Sequence, residues 1–214
     1  MMKPLITGLL FAALAWLPGA HAADAPQAGR DYVELDVGPW APRAGRIEVV
    51  EVFGYTCPHC ARFEPVVRQW QARLPDDVDM VRVPAAFGGN WDTWARVYFA
   101  AEHLGVAART HRAVFDAIHR DGLLPRNATA QELATFYAGH GVDPAQFRAA
   151  LADPAVAAQV SRAASFVRGA GLEGTPALVV NGRYRVLGDT YDAVLGTAGW
   201  LIARERAASA STSP

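Results

Sequence analysis

An α/β fold is what the 214-residue sequence predicts, and more particularly a small sheet domain interrupted by a helical insertion of roughly 80 residues. Three observations carry this. A strand, turn, helix, strand succession occupies the region from Ile47 to Val83; alanine-rich helical segments fill Trp91 to Gly171; and β-rich runs return on either side of Asn181-Gly182 before a last helix.

In order, Tyr32 to Leu35 can form a short strand. Ile47 to Phe53 (IEVVEVF) is β-branched and mostly apolar, as expected of a strand buried on both faces, with Glu51 as the anomaly in its middle. After Gly54-Tyr55-Thr56, Phe63, Val66, Val67 and Trp70 recur at helical spacing in a segment from Cys57 to Leu74 that Pro75 stops. Asp79 to Val83 reads as the next strand, completing a right-handed βαβ unit. Helices are then expected over Trp91 to Leu104, Ala107 to Arg120, Gln131 to His140, Ala145 to Leu151 and Ala155 to Arg168. Thr129 with Glu132 has the capping-box pattern, and Asp143-Pro144 and Asp153-Pro154 each put an N-cap acid before a proline. Ala177 to Val180 and Arg183 to Leu187 flank Asn181-Gly182 as a hairpin, and a helix from Thr190 to about Arg206 precedes the small polar tail ASTSP. The hairpin and last helix would extend the first sheet, since a long insertion adds little loop-closure cost. There is no internal repeat.

Composition limits the function classes. The net charge is -1 with 51% hydrophobic and 19% charged residues, which describes a folded chain and gives no basic surface for nucleic acid. Lys3 is the only lysine, so 19 of the 20 basic residues are arginine. Two cysteines cannot build a multi-bridge framework, and the chain is long enough for a core without one. The cysteines are therefore incidental or chemical.

Residues 1–22 read as an export signal. Lys3 supplies the positive start, Leu5 to Leu17 an apolar run, Pro18-Gly19 a break, and Ala20-His21-Ala22 the small residues of a cleavage site after Ala22. The apolar run is short of the roughly 20 residues a spanning helix needs. Without Lys3, 19 basic residues face 21 acidic ones, so the mature chain carries -2. It is expected to be soluble and exported, where disulfides persist.

Both cysteines lie in Cys57-Pro58-His59-Cys60, after a strand and at the start of a helix. Unpaired N–H groups and a partial positive charge at a helix N-terminus stabilise an anion, and the Cys57 thiolate stands where it can use them. A protonated His59 would add a second positive centre, and Pro58 removes a donor the first turn does not need. Cys60 lies one turn on, within reach of a disulfide. Each pKa unit by which the thiolate is stabilised favours the dithiol by roughly 1.4 kcal/mol, or roughly 30 mV, which turns a reductant into an oxidant. Zinc would need a second ligand pair, haem attachment a histidine where Ala61 stands, and a structural bridge a longer loop. Redox catalysis is the reading that remains.

The run VVEVFGYTCPHCARFEPVV resembles the active-site region of the DsbA family of periplasmic thiol:disulfide oxidases, and GTPALVVNGRY resembles that family's second signature. The resemblance covers Tyr32 to about Arg206 in order and spacing. It implies an α/β thioredoxin fold with an inserted all-helical domain: a first thioredoxin-like part over 23–90, the insertion over 91–171, a second part over 172–206, and a flexible tail over 207–214. It implies that Cys57 is the exposed nucleophile, Cys60 its buried partner and His59 a stabiliser of the thiolate, with the Cys57-Cys60 disulfide as the redox group and no separate cofactor or metal. It also implies the low thiolate pKa and the strongly oxidising disulfide of that family. Thr175-Pro176 matches the loop whose proline is cis in thioredoxin-like folds, beside which an extended substrate can pair in the manner of strand addition. Glu51 matches the family's buried acid and Glu64 an acid on the first helix. Glu51 is either a proton relay or the partner of an arginine such as Arg82, and both stay open. Two departures are visible: the mature chain has no lysine near that acid, and threonine stands before the proline where the best-known oxidases carry valine.

His103, His111 and His119 recur every eight residues and drift around a helix, so they read as surface or packing histidines and not as a metal set. Asn127-Ala128-Thr129 fits a glycosylation acceptor, but the capping box accounts for Thr129. The function expected is an exported, monomeric oxidase that gives its disulfide to reduced, unfolded proteins and is reoxidised, by the resemblance, by a quinone-linked inner-membrane protein of the DsbB type. The alternatives are a disulfide isomerase or reductase, against which stands the short stretch before the first strand, and a peptide-binding, chaperone-like module.

Overall fold

The computed structural model describes residues 25–212, so the export signal read over 1–22 and its cleavage after Ala22 lie outside the described residues. Its centre is β2 (Ile47–Phe53), a strand whose seven residues are all buried because both faces of the sheet are covered. β2 pairs in parallel with β3 (Val78–Pro84) across α1 (Pro58–Gln71), and antiparallel with β4 (Ala177–Val180). β4 pairs with β5 (Tyr184–Val186), and β5 with β1 (Tyr32–Glu34), giving a five-stranded sheet in the order β1-β5-β4-β2-β3. The hairpin thus joins the first βαβ unit in one sheet, as expected.

The period-two alternation of β2 sorts the two cores. Ile47 and Val49, with Leu178 and Val180, face α1 and the last helix α7 (Tyr191–Thr212) in a cluster with Phe63, Val67, Leu195 and Leu201. Val50 and Val52, with Val83 and Val179, face the helical insertion. The insertion comprises α2 (Asn90–His103), α3 (Ala107–His119), α4 (Ala130–Ala138), α5 (Pro144–Ala152) and α6 (Pro154–Gly169). Its caps are those the sequence indicates: Thr129 accepts from the Glu132 N–H while Glu132 accepts from the Thr129 N–H, and Asp143 and Asp153 cap α5 and α6. α3 also packs against α1, so the insertion touches the helix that bears the cysteines.

Some boundaries move, each for a local reason. α1 ends at Gln71 rather than Leu74, because Pro75 disfavours a helical residue before it and the chain tightens into three-residue turns, Arg73 N–H to the Trp70 carbonyl and Leu74 N–H to that of Gln71. α7 continues to Thr212, past Arg206 and through most of the tail expected to be flexible. There the Ser209 and Ser211 hydroxyls bond back to the carbonyls of Glu205 and Ala208, which lets a polar segment stay helical. Leu124 and Trp94 lie in the insertion's core, and the Trp94 indole N–H reaches the Arg126 carbonyl across it.

β2 carries a second buried acid that sequence reading did not single out. Glu48 accepts from the backbone N–H groups of Trp40 (2.6 Å) and Ala41 (2.5 Å), pinning the segment before β2, while Asn181 links the Glu48 backbone to Glu205 of α7. The Asn181-Gly182 turn has positive φ at both residues, 51° and 61°, and the Arg183 N–H closes it on the Val180 carbonyl. A Cβ on Gly182 would stand 1.9 Å from the Gly38 carbonyl oxygen. Gly182→Ala is expected to destabilise the protein by about 2 kcal/mol or more, through left-handed strain and displaced backbone, read as a lower midpoint of urea unfolding.

Candidate active site

The first turn of α1 and the start of β4 make the site. Gly54 follows β2 because α2 packs there: a Cβ on it would fall 2.2 Å from the Trp91 ring. The chain then turns, the Cys57 N–H bonding the Gly54 carbonyl at 3.0 Å, and Cys57 takes the N-cap position of α1 with extended backbone. Its Sγ stands where a cap oxygen would, accepting from the Cys60 N–H at 3.4 Å; Pro58 is the first helical residue, and the first turn holds no acid to repel a thiolate.

Cys57 is 8% exposed and Cys60 fully buried, so Cys57 is the more accessible sulfur but not the openly exposed one that was expected. What covers it is the loop before β4. The Thr175-Pro176 bond is cis, and the Thr175 carbonyl accepts from the Cys57 thiol at 3.4 Å. The buried Thr175 hydroxyl is placed to donate to the Cys57 thiolate and lies within reach of the Cys60 sulfur as well.

These groups pull the Cys57 pKa down to about 5. The Cys60 thiol, as a donor, contributes most; burial opposes it; the Thr175 hydroxyl and the N–H groups of Cys60 and His59 add to the fall. Cys60 is pushed far up, by burial first and then by the proton it shares with Cys57. One sulfur is therefore the anion and the other its proton donor. His59 reaches Cys57 differently from the expectation. Its contribution comes through the backbone N–H, while its exposed ring turns to Arg62, whose guanidinium donates to Nδ1 over 3.1 Å.

Beneath α1, Glu51 and Arg82 stand opposite each other in the β2–β3 register, with Glu51 Oε2 3.3 Å from Arg82 Nε. The distance makes an ion pair, but neither atom is in hydrogen-bonding geometry, and the arginine spends another N–H on Gln71. Burial raises the Glu51 pKa to about 7, Arg82 opposing and the nearby Glu64 assisting. Glu51 thus has the arginine partner, while burial holds its pKa near 7. Arg82 stands beside the acid, and the described residues hold no lysine. Glu64 is buried on α1, one turn beyond Cys60.

Three contacts at the site lie outside the sequence expectation. The Tyr55 hydroxyl meets His111 Nδ1 at 3.1 Å, the Tyr55 carbonyl meets His119 Nε2 at 2.7 Å, and the Tyr191 hydroxyl donates to the His59 carbonyl at 2.9 Å. The first two are packing contacts by which the insertion holds the turn before Cys57, and burial keeps His111 neutral, well below the usual imidazole range. No spacing signal marks them, because each joins segments far apart in the chain.

A family model of the DSBA-like thioredoxin domain matches residues 48–197, which spans both signatures. The chain belongs to this family. It is 40% identical to the thiol:disulfide interchange protein DsbA of Azotobacter vinelandii over 97% of this chain and 100% of the relative, and 39% identical to that of Pseudomonas aeruginosa over 97% and 99%. The crystal structure of the oxidoreductase DsbA from Xylella fastidiosa superposes with a TM-score of 0.83 at 49% identity, covering 86% of this chain and 100% of that one. The α/β thioredoxin fold and thiol:disulfide oxidoreductase activity follow for this chain, as does action on substrate proteins by thiol-disulfide exchange.

Two pH responses follow. The Cys57 pKa lies near 5 in the folded dithiol and near the ordinary thiol value of 9.0 when unfolded. Between these values the unfolded state binds more protons, so the stability of the reduced relative to the disulfide form should rise with pH, by up to about 1.4 kcal/mol per unit, and be lost as pH falls through 5. Paired denaturant titrations of both forms check this. Arg82→Met removes the cation that holds the Glu51 pKa down, so the carboxyl should stay protonated to higher pH, and denaturant titrations should show the variant losing up to about 1.4 kcal/mol more stability at pH 8, where wild-type Glu51 is charged, than at pH 5, where it is protonated.

Proposed function

We propose that the protein is a disulfide donor in the periplasm, with Cys57 the attacked sulfur, Cys60 the sulfur that leaves on attack and their disulfide the only redox group. The observation that carries this reading is the convergence on Cys57 Sγ of the Cys60 and His59 N–H groups, the Cys60 thiol and the Thr175 hydroxyl. Donors so placed stabilise the thiolate that leaves when a disulfide is passed on.

The exchange balances as follows. A substrate thiolate attacks Cys57 Sγ, the Cys57–Cys60 bond breaks, and Cys60 leaves and takes a proton, consistent with its raised pKa. A second substrate thiolate then attacks the substrate sulfur of the mixed disulfide and expels Cys57 as a thiolate. Two substrate thiols are oxidised to a disulfide, and the enzyme disulfide is reduced to the dithiol. Pro58 opens the helix that holds Cys57, and Thr175 and Pro176 form the wall beside the sulfur where an extended substrate would lie. Glu51, near neutrality and beneath the redox helix, serves as the proton carrier for Cys60, with Glu64 tuning it.

Relatives of this family are periplasmic. Export by the 1–22 signal, action as a monomer, and reoxidation by a DsbB-type quinone-linked membrane protein complete the proposal; no described helix is long and apolar enough to cross a membrane. In an assay with a reduced, unfolded protein, Cys57→Ser and Cys60→Ala should each abolish thiol oxidation, because neither variant can hold the disulfide that is passed on. Equilibration with glutathione should leave the wild type reduced under conditions that oxidise thioredoxin. A potential near that of thioredoxin, with a thiolate midpoint near 8, would overturn the proposal.

A further inference from the structure

Tyr191 reaches the redox helix from α7. It is the first residue of that helix, its hydroxyl donates to the His59 carbonyl at 2.9 Å, and its ring lies 4.9 Å from the Phe63 ring one turn along α1. The His59 carbonyl and the Cys60 N–H belong to one planar peptide unit. That N–H is the group that meets Cys57 Sγ at 3.4 Å. One amide is therefore engaged at both ends, by a tyrosine hydroxyl at its oxygen and by the reactive sulfur at its N–H.

A donor on an amide oxygen draws electron density from the nitrogen and makes its N–H a stronger donor, as in any hydrogen-bonded chain. It also resists rotation of the amide plane, and the ring contact with Phe63 holds the hydroxyl in place. We propose that Tyr191 is a positioning residue for disulfide exchange: its hydroxyl fixes and polarises the His59–Cys60 peptide, so that the N–H is held on the Cys57 sulfur when that sulfur is charged. The proposal rests on the reading of Cys57 as the thiolate nucleophile. Because a charged Cys57 is the product of each donation, Tyr191 favours the reduced enzyme and so the forward transfer.

The other charged or titratable groups at this place are the His59 ring, which is held by Arg62, and Asp189, which lines the same cavity as Tyr191. Asp189→Asn therefore accompanies the test, and its thiolate midpoint should stay where the wild type's is. Tyr191→Phe removes the hydroxyl and keeps the ring on Phe63. Followed by thiolate absorbance against pH in the mature reduced protein, its midpoint should rise by about half a unit, and its equilibrium with glutathione should move about threefold toward the disulfide. Tyr191→Ala removes the ring as well. It should unfold more readily in both redox forms, and Phe at this position should restore that stability while the midpoint stays raised in both variants. A low wild-type midpoint that Tyr191→Phe leaves unmoved overturns this inference alone. A wild-type midpoint near the ordinary thiol value overturns the reading of Cys57, and this inference with it.

Discussion

A charged sulfur at the start of a helix is the constraint around which the molecule is arranged. A thiolate that loses water needs donors in its place, and the N-terminus of α1 offers unpaired N–H groups already pointing at it. Helix geometry alone supplies only part of the field. The Cys60 thiol comes from one turn on, and the Thr175 hydroxyl from a loop more than a hundred residues away in the chain. The sheet brings these together, because β4, which follows Thr175-Pro176, pairs directly with β2, which leads into Cys57. The redox centre depends on that antiparallel pairing as much as on the motif.

The two buried acids of β2 show how the same side chain is used for structure and for chemistry. Glu48 receives two backbone N–H bonds and ties down the segment before the strand. Glu51, three residues on, has an ion pair that is close but poorly aligned, and its charge is correspondingly costly. A carboxylate whose hydrogen bonds are met is a fixed anchor. One whose needs are partly met can take up and release a proton near neutral pH, and this one lies under the helix whose buried cysteine must gain and lose a proton.

Much of this was legible along the chain. The β-branched run at 47–53, the helical spacing of Phe63, Val66, Val67 and Trp70, the capping box at Thr129 and the Asn181-Gly182 turn all report local preferences, and the elements they indicate are present within a few residues. Boundaries shifted where weaker local terms compete, as in the tail, where serine hydroxyls satisfy helix carbonyls. At the site, Cys57 and Cys60 were legible because their spacing carries chemistry. The route by which His59 acts was not: its ring was the visible feature, yet its backbone N–H points to the sulfur. Glu48 was missed because a buried acid that is fully paired leaves no trace in the pattern of the strand.

The sequence by itself determined the two-sulfur centre, its place after a buried strand, the helical insertion and the proline loop that follows, since each is written in adjacent residues whose conformational preferences are local. Only the tertiary structure decided what surrounds the sulfur: that Thr175 covers it, that Arg82 stands beside Glu51, that His111 and His119 hold Tyr55, and that Tyr191 bonds the His59 carbonyl. The physical reason is distance along the chain. Hydrogen bonds and ion pairs act over a few ångströms, and the residues that make them here come within that range only after the sheet has paired and the two helical layers have closed on its faces.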